Sequence, residues 1–261
     1  MGTVSGTGNQ AVQVRLLGVF EVVRADGSHV HAAEWSTRKT KDLLRLLAIS
    51  AGRPVRSSHL IEELWPTATP ERGRGSLRTA ASQVRRTVGA ECLLRHPEGL
   101  VLVDARVDVV DFLAHVRDVN RAARGDRPAE AVAIAARAET LYAGDFHASD
   151  DDSPWARGER RRLRAARQGM LAEAARCALL VGRHREALDL GTLAVALDPL
   201  SEGAHRSLMR AHAEVGEVGS ALRVFESFRA LLAEELGADP SAQTRELHLR
   251  ILRGGADGLT G

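Results

Sequence analysis

The sequence predicts a mostly α-helical protein with a small β part, arranged as two domains, and three observations predict it. Residues 13–104 read in the order sheet, three helices, hairpin. From about 105 to 252 the apolar period is helical throughout. Within that second stretch, glycine-containing turns recur ahead of Ala-Leu or Ala-Val pairs, two of them 34 residues apart. With 261 residues, 44% hydrophobic and 27% charged, the chain has the size and composition for two folded cores. Aromatics are only 3%, so Ala, Leu and Val are expected to do most of the packing.

Residues 1–12 are uncharged and rich in Gly, Ser and Thr. They lack the basic start and apolar stretch of a signal peptide, and read as a disordered leader on a cytoplasmic protein. No apolar run approaches the roughly 18 residues of a membrane span. Residues 14–23 (VRLLGVFEVV) are β-rich, residues 25–28 (ADGS) make a turn, and Val30 starts a short return strand. Ser36 or Thr37 is placed to cap a helix whose apolar stripe is Leu43, Leu44, Leu46, Leu47 and Ala48. Arg38, Lys39, Lys41 and Arg45 fall outside that stripe. Gly52 and Pro54 stop the helix, and Val55 reads as a lone β contact. Ser57 or Ser58 then caps a short helix carrying Leu60, Ile61, Leu64 and Trp65, which Pro66 ends. After a loop at 67–70, a third helix runs from about Arg72 to Val88. It turns Leu77, Ala80, Ala81, Val84 and Val88 inward and closes at Gly89. Residues 93–95 and 100–103 flank a turn at 96–99 and form a β-hairpin.

This is the layout of a winged helix-turn-helix with an extra N-terminal sheet. A DNA-reading helix needs an apolar back, a polar front and a supporting helix that crosses it, and residues 57–88 supply all three. The second domain, 105–253, breaks at 125–128, 144–154, Gly182, Pro199, Gly216 and 237–240. Between the breaks lie amphipathic helices. The turns GRHREAL (182–188) and GEVGSAL (216–222) have the tetratricopeptide spacing, and GDRPAEAV (125–132) echoes both. Such helix pairs stack over a continuous core and present a concave face to partners; a plain helical bundle also fits the pattern. Residues 254–261 read as a flexible tail.

Cys92 and Cys177 are too few and too far apart for a disulfide framework or a cysteine zinc site, and read as small buried hydrophobes. Asp150, Asp151 and Asp152 are consecutive acids, which rarely converge on a cation. His205 and His212 share a helix face at a spacing less suited to chelation than a four-residue step. Gly73 and Gly75 lack the preceding strand and third glycine of a nucleotide loop. No metal, cofactor or catalytic constellation is expected, and hence no enzyme.

Net charge is +2, but it is unevenly spread. Residues 13–104 hold 14 Lys+Arg against 10 Asp+Glu, and residues 105–261 hold 22 against 24. Between Arg72 and Arg86 there are five arginines and no acid, the footprint expected of a nucleic-acid surface; by charge alone a solvated, arginine-rich helix fits equally well. In the third helix Arg78, Thr79, Ser82, Gln83, Arg85 and Arg86 avoid the apolar stripe. Gln bonds adenine, Arg bonds guanine, and Ser or Thr is permissive. Arg72, Arg74 and Ser76 stand near the helix start, where free N–H groups and the dipole attract phosphate. Arg95 lies on the hairpin. Lys39 and Lys41 fit contact with DNA backbone or a neighbouring protomer, but plain solvation fits them better, as for any exposed helix face.

Taken in order, several stretches resemble the Streptomyces antibiotic regulatory protein family. In the first domain they are VRLLGVF (14–20), RKTKDLL (38–44), LIEELW (60–65) and LRTAASQVRR (77–86). In the second they are LYAGDF (141–146), Trp155 with Glu159 and Arg160, and EELGADPS (234–241) with Thr244 and Leu247. The resemblance covers about residues 13–253. It implies an OmpR-type winged helix followed by a bacterial transcriptional activation domain built of tetratricopeptide-like helices. By position it turns Thr79, Ser82, Gln83 and Arg86 toward the groove, sets Arg78 and Arg85 at its edges, and suggests a phosphate contact for the Trp65 indole, where the residue pattern itself favours packing in the core. It implies a non-enzymatic activator that binds direct repeats in double-stranded promoter DNA as a side-by-side dimer, recruits RNA polymerase holoenzyme and controls a biosynthetic gene cluster. Larger members add an NTPase module; with no Walker-type loop, this chain resembles the small members. Two positions depart from the pattern. Leu100 replaces the aromatic residue that often follows the wing glycine, and Glu98 sits at the expected wing tip. They leave open a second reading, a helical scaffold whose winged domain no longer reads DNA.

Overall fold

A computed structural model describes residues 11–146 and 153–254, and within it the chain forms two compact units. The expected leader, apart from its last two residues, and the acids at 150–152 lie outside the described residues, as do 255–261 of the expected tail.

Unit 1 comprises residues up to Phe112 together with 141–160. It holds two three-stranded sheets. In the first, β1 (Val12–Arg15) pairs antiparallel with β2 (Glu21–Val23) and parallel with β6 (Ala105–Val107). The β-rich run at 14–23 is therefore two strands with a bend between them. Gly18, at the bend, adopts φ +102° and packs against Ala143 and Gly144. Val12, counted with the leader on sequence, opens β1, is fully buried and donates its N–H to the Asp104 carbonyl at 3.0 Å. β6 falls in a stretch read as helical, because three residues are too few to show an alternating pattern.

Between β2 and the second sheet runs α1 (Arg38–Ile49), capped by the Thr37 hydroxyl, which accepts from the Thr40 N–H at 3.2 Å. Its stripe is wider than the sequence suggests. Arg45, expected outside, is buried beside the equally buried Asp42, with Nη1 to Oδ1 at 2.8 Å and its guanidinium 4.3 Å from the Phe20 ring centroid. The carboxylate and the aromatic face supply what water would otherwise give the charge.

The second sheet has the order β3-β5-β4: β3 (Val55–Arg56), β4 (Leu93–His96) and β5 (Gly99–Leu102). Val55 is thus part of a strand pair, not a lone contact. A Cβ on Gly99 would stand 2.0 Å from the Val55 carbonyl oxygen, so only glycine lets β5 approach β3.

The helix α4 (Asp108–Arg124) begins in unit 1. Its first residue, Asp108, accepts from the N–H groups of Leu16, Leu17 and Val109 at 2.7–2.9 Å and ties β1 to the helix. Burial raises its carboxyl above the ordinary carboxylate value, while those donors and Arg15 pull the other way. Leu17 also bridges to Phe146, whose ring meets Trp155 edge-on at 5.9 Å.

Unit 2 comprises 113–140 and the residues from 161 onward. It holds the rest of α4, α5 (Pro128–Leu141, all but the last residue), the later part of α6 (Pro154–Leu180), α7 (His184–Leu197), α8 (Glu202–Glu214), α9 (Val218–Leu236) and α10 (Ala242–Gly254). The three repeated turns share one bond. Arg127, Arg183 and Glu217 each donate the backbone N–H to the carbonyl five residues back, on Ala122, Ala178 and His212, at 2.8–2.9 Å. The last two are 34 residues apart. The left-handed residue is Gly182 in the second turn and Gly216 in the third; in the first it is Asp126, not Gly125, so the sequence match slips by one there. Met209, Ala213, Ala221, Phe225, Leu247 and Ile251 form a buried cluster of α8, α9 and α10. The fold is mostly helical with two small sheets, as expected. Among the described residues no helix is long and apolar enough to cross a membrane.

Candidate nucleic-acid interface

Two helices and the β4–β5 hairpin build the candidate surface. α2 (Ser57–Leu64) starts without a side-chain cap; Ser57 is its first residue rather than its cap. It buries Leu60 and Leu64 and ends at Trp65, whose N–H donates to the Ile61 carbonyl at 2.8 Å. α3 (Pro70–Val88) starts two residues earlier than the sequence suggests, because Thr69 caps it and Pro70 takes the first helical position, where its missing N–H costs nothing. Leu77, Ala80, Ala81, Val84 and Val88 are buried, as expected, together with Gly73 and Thr87. The burial of Gly73 explains a residue that no motif accounted for. A Cβ there would lie 2.5 Å from Ile61 Cγ2, so glycine sets how closely α2 crosses α3.

At the helical repeat, Arg72, Ser76, Thr79, Ser82, Gln83 and Arg86 lie on the face opposite Leu77, Ala81, Val84 and Val88. Arg72, Thr79, Ser82 and Arg86 are exposed, and Ser76 and Gln83 are half-buried. Arg74 and Arg78 are exposed on the flank toward α2 and line a cleft of about 800 Å³ with Ile61, Trp65 and Leu77. Trp65 is half-buried at this cleft, not enclosed in the core. The side chains of Arg72, Arg74, Arg78, Arg86 and Arg95 make no hydrogen bond or ion pair with other described residues. Glu62 and Glu71 also line the cleft with Arg74 and Arg78, but none of these guanidinium groups is paired, which suits a phosphate-lined partner.

Three candidates are held by the protein itself. Arg85 donates Nε to the Leu93 carbonyl at 2.8 Å, fastening α3 to the first strand of the hairpin. Gln83 accepts at Oε1 from the Thr40 hydroxyl at 2.7 Å. Thr79 donates to the Gly75 carbonyl at 3.2 Å, within its own helix. Thr40, buried on α1, is a residue that sequence reasoning missed; it stands 43 positions before Gln83, and no local pattern links the two. On the hairpin, Arg95 and Glu98 are exposed and Leu100 is buried. Among the described residues no group of three His, Cys, Asp or Glu side chains is placed to hold a metal.

Residues 107–252 match the family model described as bacterial transcriptional activator domain. The chain is 33% identical over 215 residues to the regulatory protein AfsR of Streptomyces griseus, a match covering 81% of this chain and 22% of that protein. It is 29% identical over 255 residues to the regulatory protein DnrI of Streptomyces peucetius, covering 93% of this chain and 92% of that one. The chain thus spans about a fifth of the length of the AfsR proteins it matches. Among solved structures, EmbR of Mycobacterium tuberculosis superposes with a TM-score of 0.81 at 24% identity, over 94% of this chain and 65% of that one, which is a likeness of fold.

Proposed function

Since the chain belongs to the bacterial transcriptional activator domain family and is a regulator of the Streptomyces antibiotic regulatory protein type, we propose that it activates transcription by holding promoter DNA with residues 13–104. In this reading α3 lies in the major groove. Arg72 and Arg74 grip phosphates at the start of the helix, Arg78 grips one at the groove edge, and Thr79, Ser82, Gln83 and Arg86 face base edges. Ser76 supports the phosphate contacts, Trp65 offers its indole N–H beside them, and Arg95 reaches the backbone from the wing. Arg85 acts indirectly by fixing the wing to α3. The observation that carries the reading is a helix face of polar and cationic side chains, with Glu71 in the first turn as the one acid of the helix, above a closed apolar back.

Phosphate contacts supply most of the affinity and make it salt-dependent, and a few base contacts supply preference. Two molecules sit side by side on direct repeats, and the helical domain, 105–253, engages RNA polymerase holoenzyme in the cytoplasm. The regulated genes form a biosynthetic cluster. Selecting bound fragments from the source genome with purified protein, followed by footprinting, tests this. Tandem protected sites ahead of a promoter are expected. No binding to any fragment at low salt overturns the reading in favour of a scaffold whose winged domain has lost DNA.

A further inference from the structure

We propose that unit 2 carries a binding site for a small phosphorylated anion, in a cleft of about 280 Å³ between α6, α8 and α10. Arg176 of α6, Arg206 and Arg210 of α8 and Arg250 of α10 line it, with Glu173 as the one lining carboxylate. Three separate helices therefore bring four guanidinium groups to one small concavity.

The protein neutralises these charges only in part. Arg176 is held by Glu173, Nη2 to Oε1 at 2.6 Å. Arg206 stands 3.7 Å from Glu202, and the same Glu202 oxygen already accepts from the Ser241 N–H and the Thr244 hydroxyl. Arg250 is exposed and meets no partner among the described residues. Like charges converging on a concave wall repel one another until an anion enters. The cleft is also shaped to admit one. Gly169, Ala172 and Gly203 put small side chains at its rim, and the buried Leu247 and Ser207 line it more deeply. Gly203 lies in the first turn of α8, where backbone N–H groups lack a helical acceptor.

The arrangement favours a phosphoryl group over a carboxylate. Guanidinium forks arriving from three helices match a tetrahedral dianion with several acceptor faces, whereas a planar carboxylate satisfies one or two. The volume is at the low end for ligand pockets and fits a diphosphate-sized group, not a dinucleotide. The site uses no residue of α3 or the hairpin and does not depend on DNA binding.

Isothermal titration calorimetry of the full chain with inorganic pyrophosphate tests the proposal, with tricarballylate as the carboxylate probe and a polyglutamate peptide as the polymeric one. Saturable one-to-one binding of pyrophosphate is expected, at least about tenfold tighter than either alternative. Arg250→Gln and Arg176→Gln should each weaken it about tenfold, and Arg229→Gln on α9 should leave it unchanged. Pyrophosphate should raise the melting temperature of the parent chain more than that of Arg250→Gln; both altered side chains are exposed, so the variants are expected to fold. The proposal fails if millimolar pyrophosphate gives no heat, if Arg250→Gln and Arg176→Gln both bind like the parent, if either alternative probe binds better, or if Arg72→Gln with Arg74→Gln abolishes the binding instead.

Discussion

The Thr40 hydroxyl on α1 donates to Gln83 Oε1 on α3 over 2.7 Å, and it is itself set by Thr37, whose oxygen lies 3.0 Å away. Gln83 is thereby held with one carbonyl lone pair occupied and its NH₂ free to donate. Thr40→Val keeps the shape and removes the donor. Stability should fall by about 1 kcal/mol, the usual net worth of such a bond, measured by urea unfolding. On the selected DNA site, preference at one base position should relax while affinity for unrelated DNA stays constant. An unchanged preference would show that Gln83 does not read a base.

Gly99→Ala should be among the most damaging single-methyl additions in the chain. The new Cβ would meet the Val55 carbonyl at 2.0 Å, and backbone cannot yield as a flexible side chain can. Overpacking of this kind costs about 1–3 kcal/mol or more. A lowered thermal midpoint, with far-UV dichroism retained at low temperature, is the expected result.

Arg45→Met should cost up to about 3–5 kcal/mol, because it takes the 2.8 Å partner from a buried carboxylate and leaves the exposed Arg38, at 3.9 Å, to offset part of the Asp42 charge. Adding Asp42→Leu should recover much of that loss, so the double variant should be more stable than Arg45→Met alone. Chemical denaturation of the three proteins measures the coupling.

Acid should weaken unit 2 through His205. Burial pushes its imidazole below the ordinary value, although the Pro199 carbonyl, Asp198 and Glu202 act in the opposite sense. Nε2 lies 2.9 Å from the Pro199 carbonyl oxygen, the ring stacks on Phe228 at 4.2 Å, and Nδ1 is buried without a partner. The neutral ring thus fits and the protonated ring does not. The unfolded chain takes up the proton first, so this stability is complete above about pH 6.5 and is lost as pH falls from there through the lower folded value. His205→Gln should flatten that part of the pH–stability curve.

Much of this was readable in the order of residues, for reasons the individual elements make plain. The stripe Leu77, Ala80, Ala81, Val84, Val88 declares the back of α3, because a helix long enough to show its period leaves a signal. Three kinds of feature left none. β6, Ala105–Val107, is too short to alternate visibly, and its partner β1 lies some 90 residues earlier. Arg45 looks solvent-facing because the aromatic ring that covers it, Phe20, comes from another segment, although its carboxylate partner Asp42 is on the same helix. Arg85 and Gln83 resemble their neighbours on the helix, but a carbonyl of Leu93 and a hydroxyl of Thr40 single them out, and both partners depend on tertiary folding. The first repeat turn shows the same limit on a small scale: Asp126 takes the left-handed conformation where composition points to Gly125.

The first sheet is completed by a strand that follows the wing, and that has a practical result for anyone cutting the gene. A fragment stopped after Asp104 would lack the outer neighbour of β1, the carboxylate that gathers the Leu16 and Leu17 amides, and the Phe146 bridge. Its Val12–Arg15 strand would then offer bare amides and carbonyls to the next copy, inviting filament-like stacking or degradation. Dissection should keep residues 105–112 with residues 13–104 and supply 141–160 as well, for instance by a short splice.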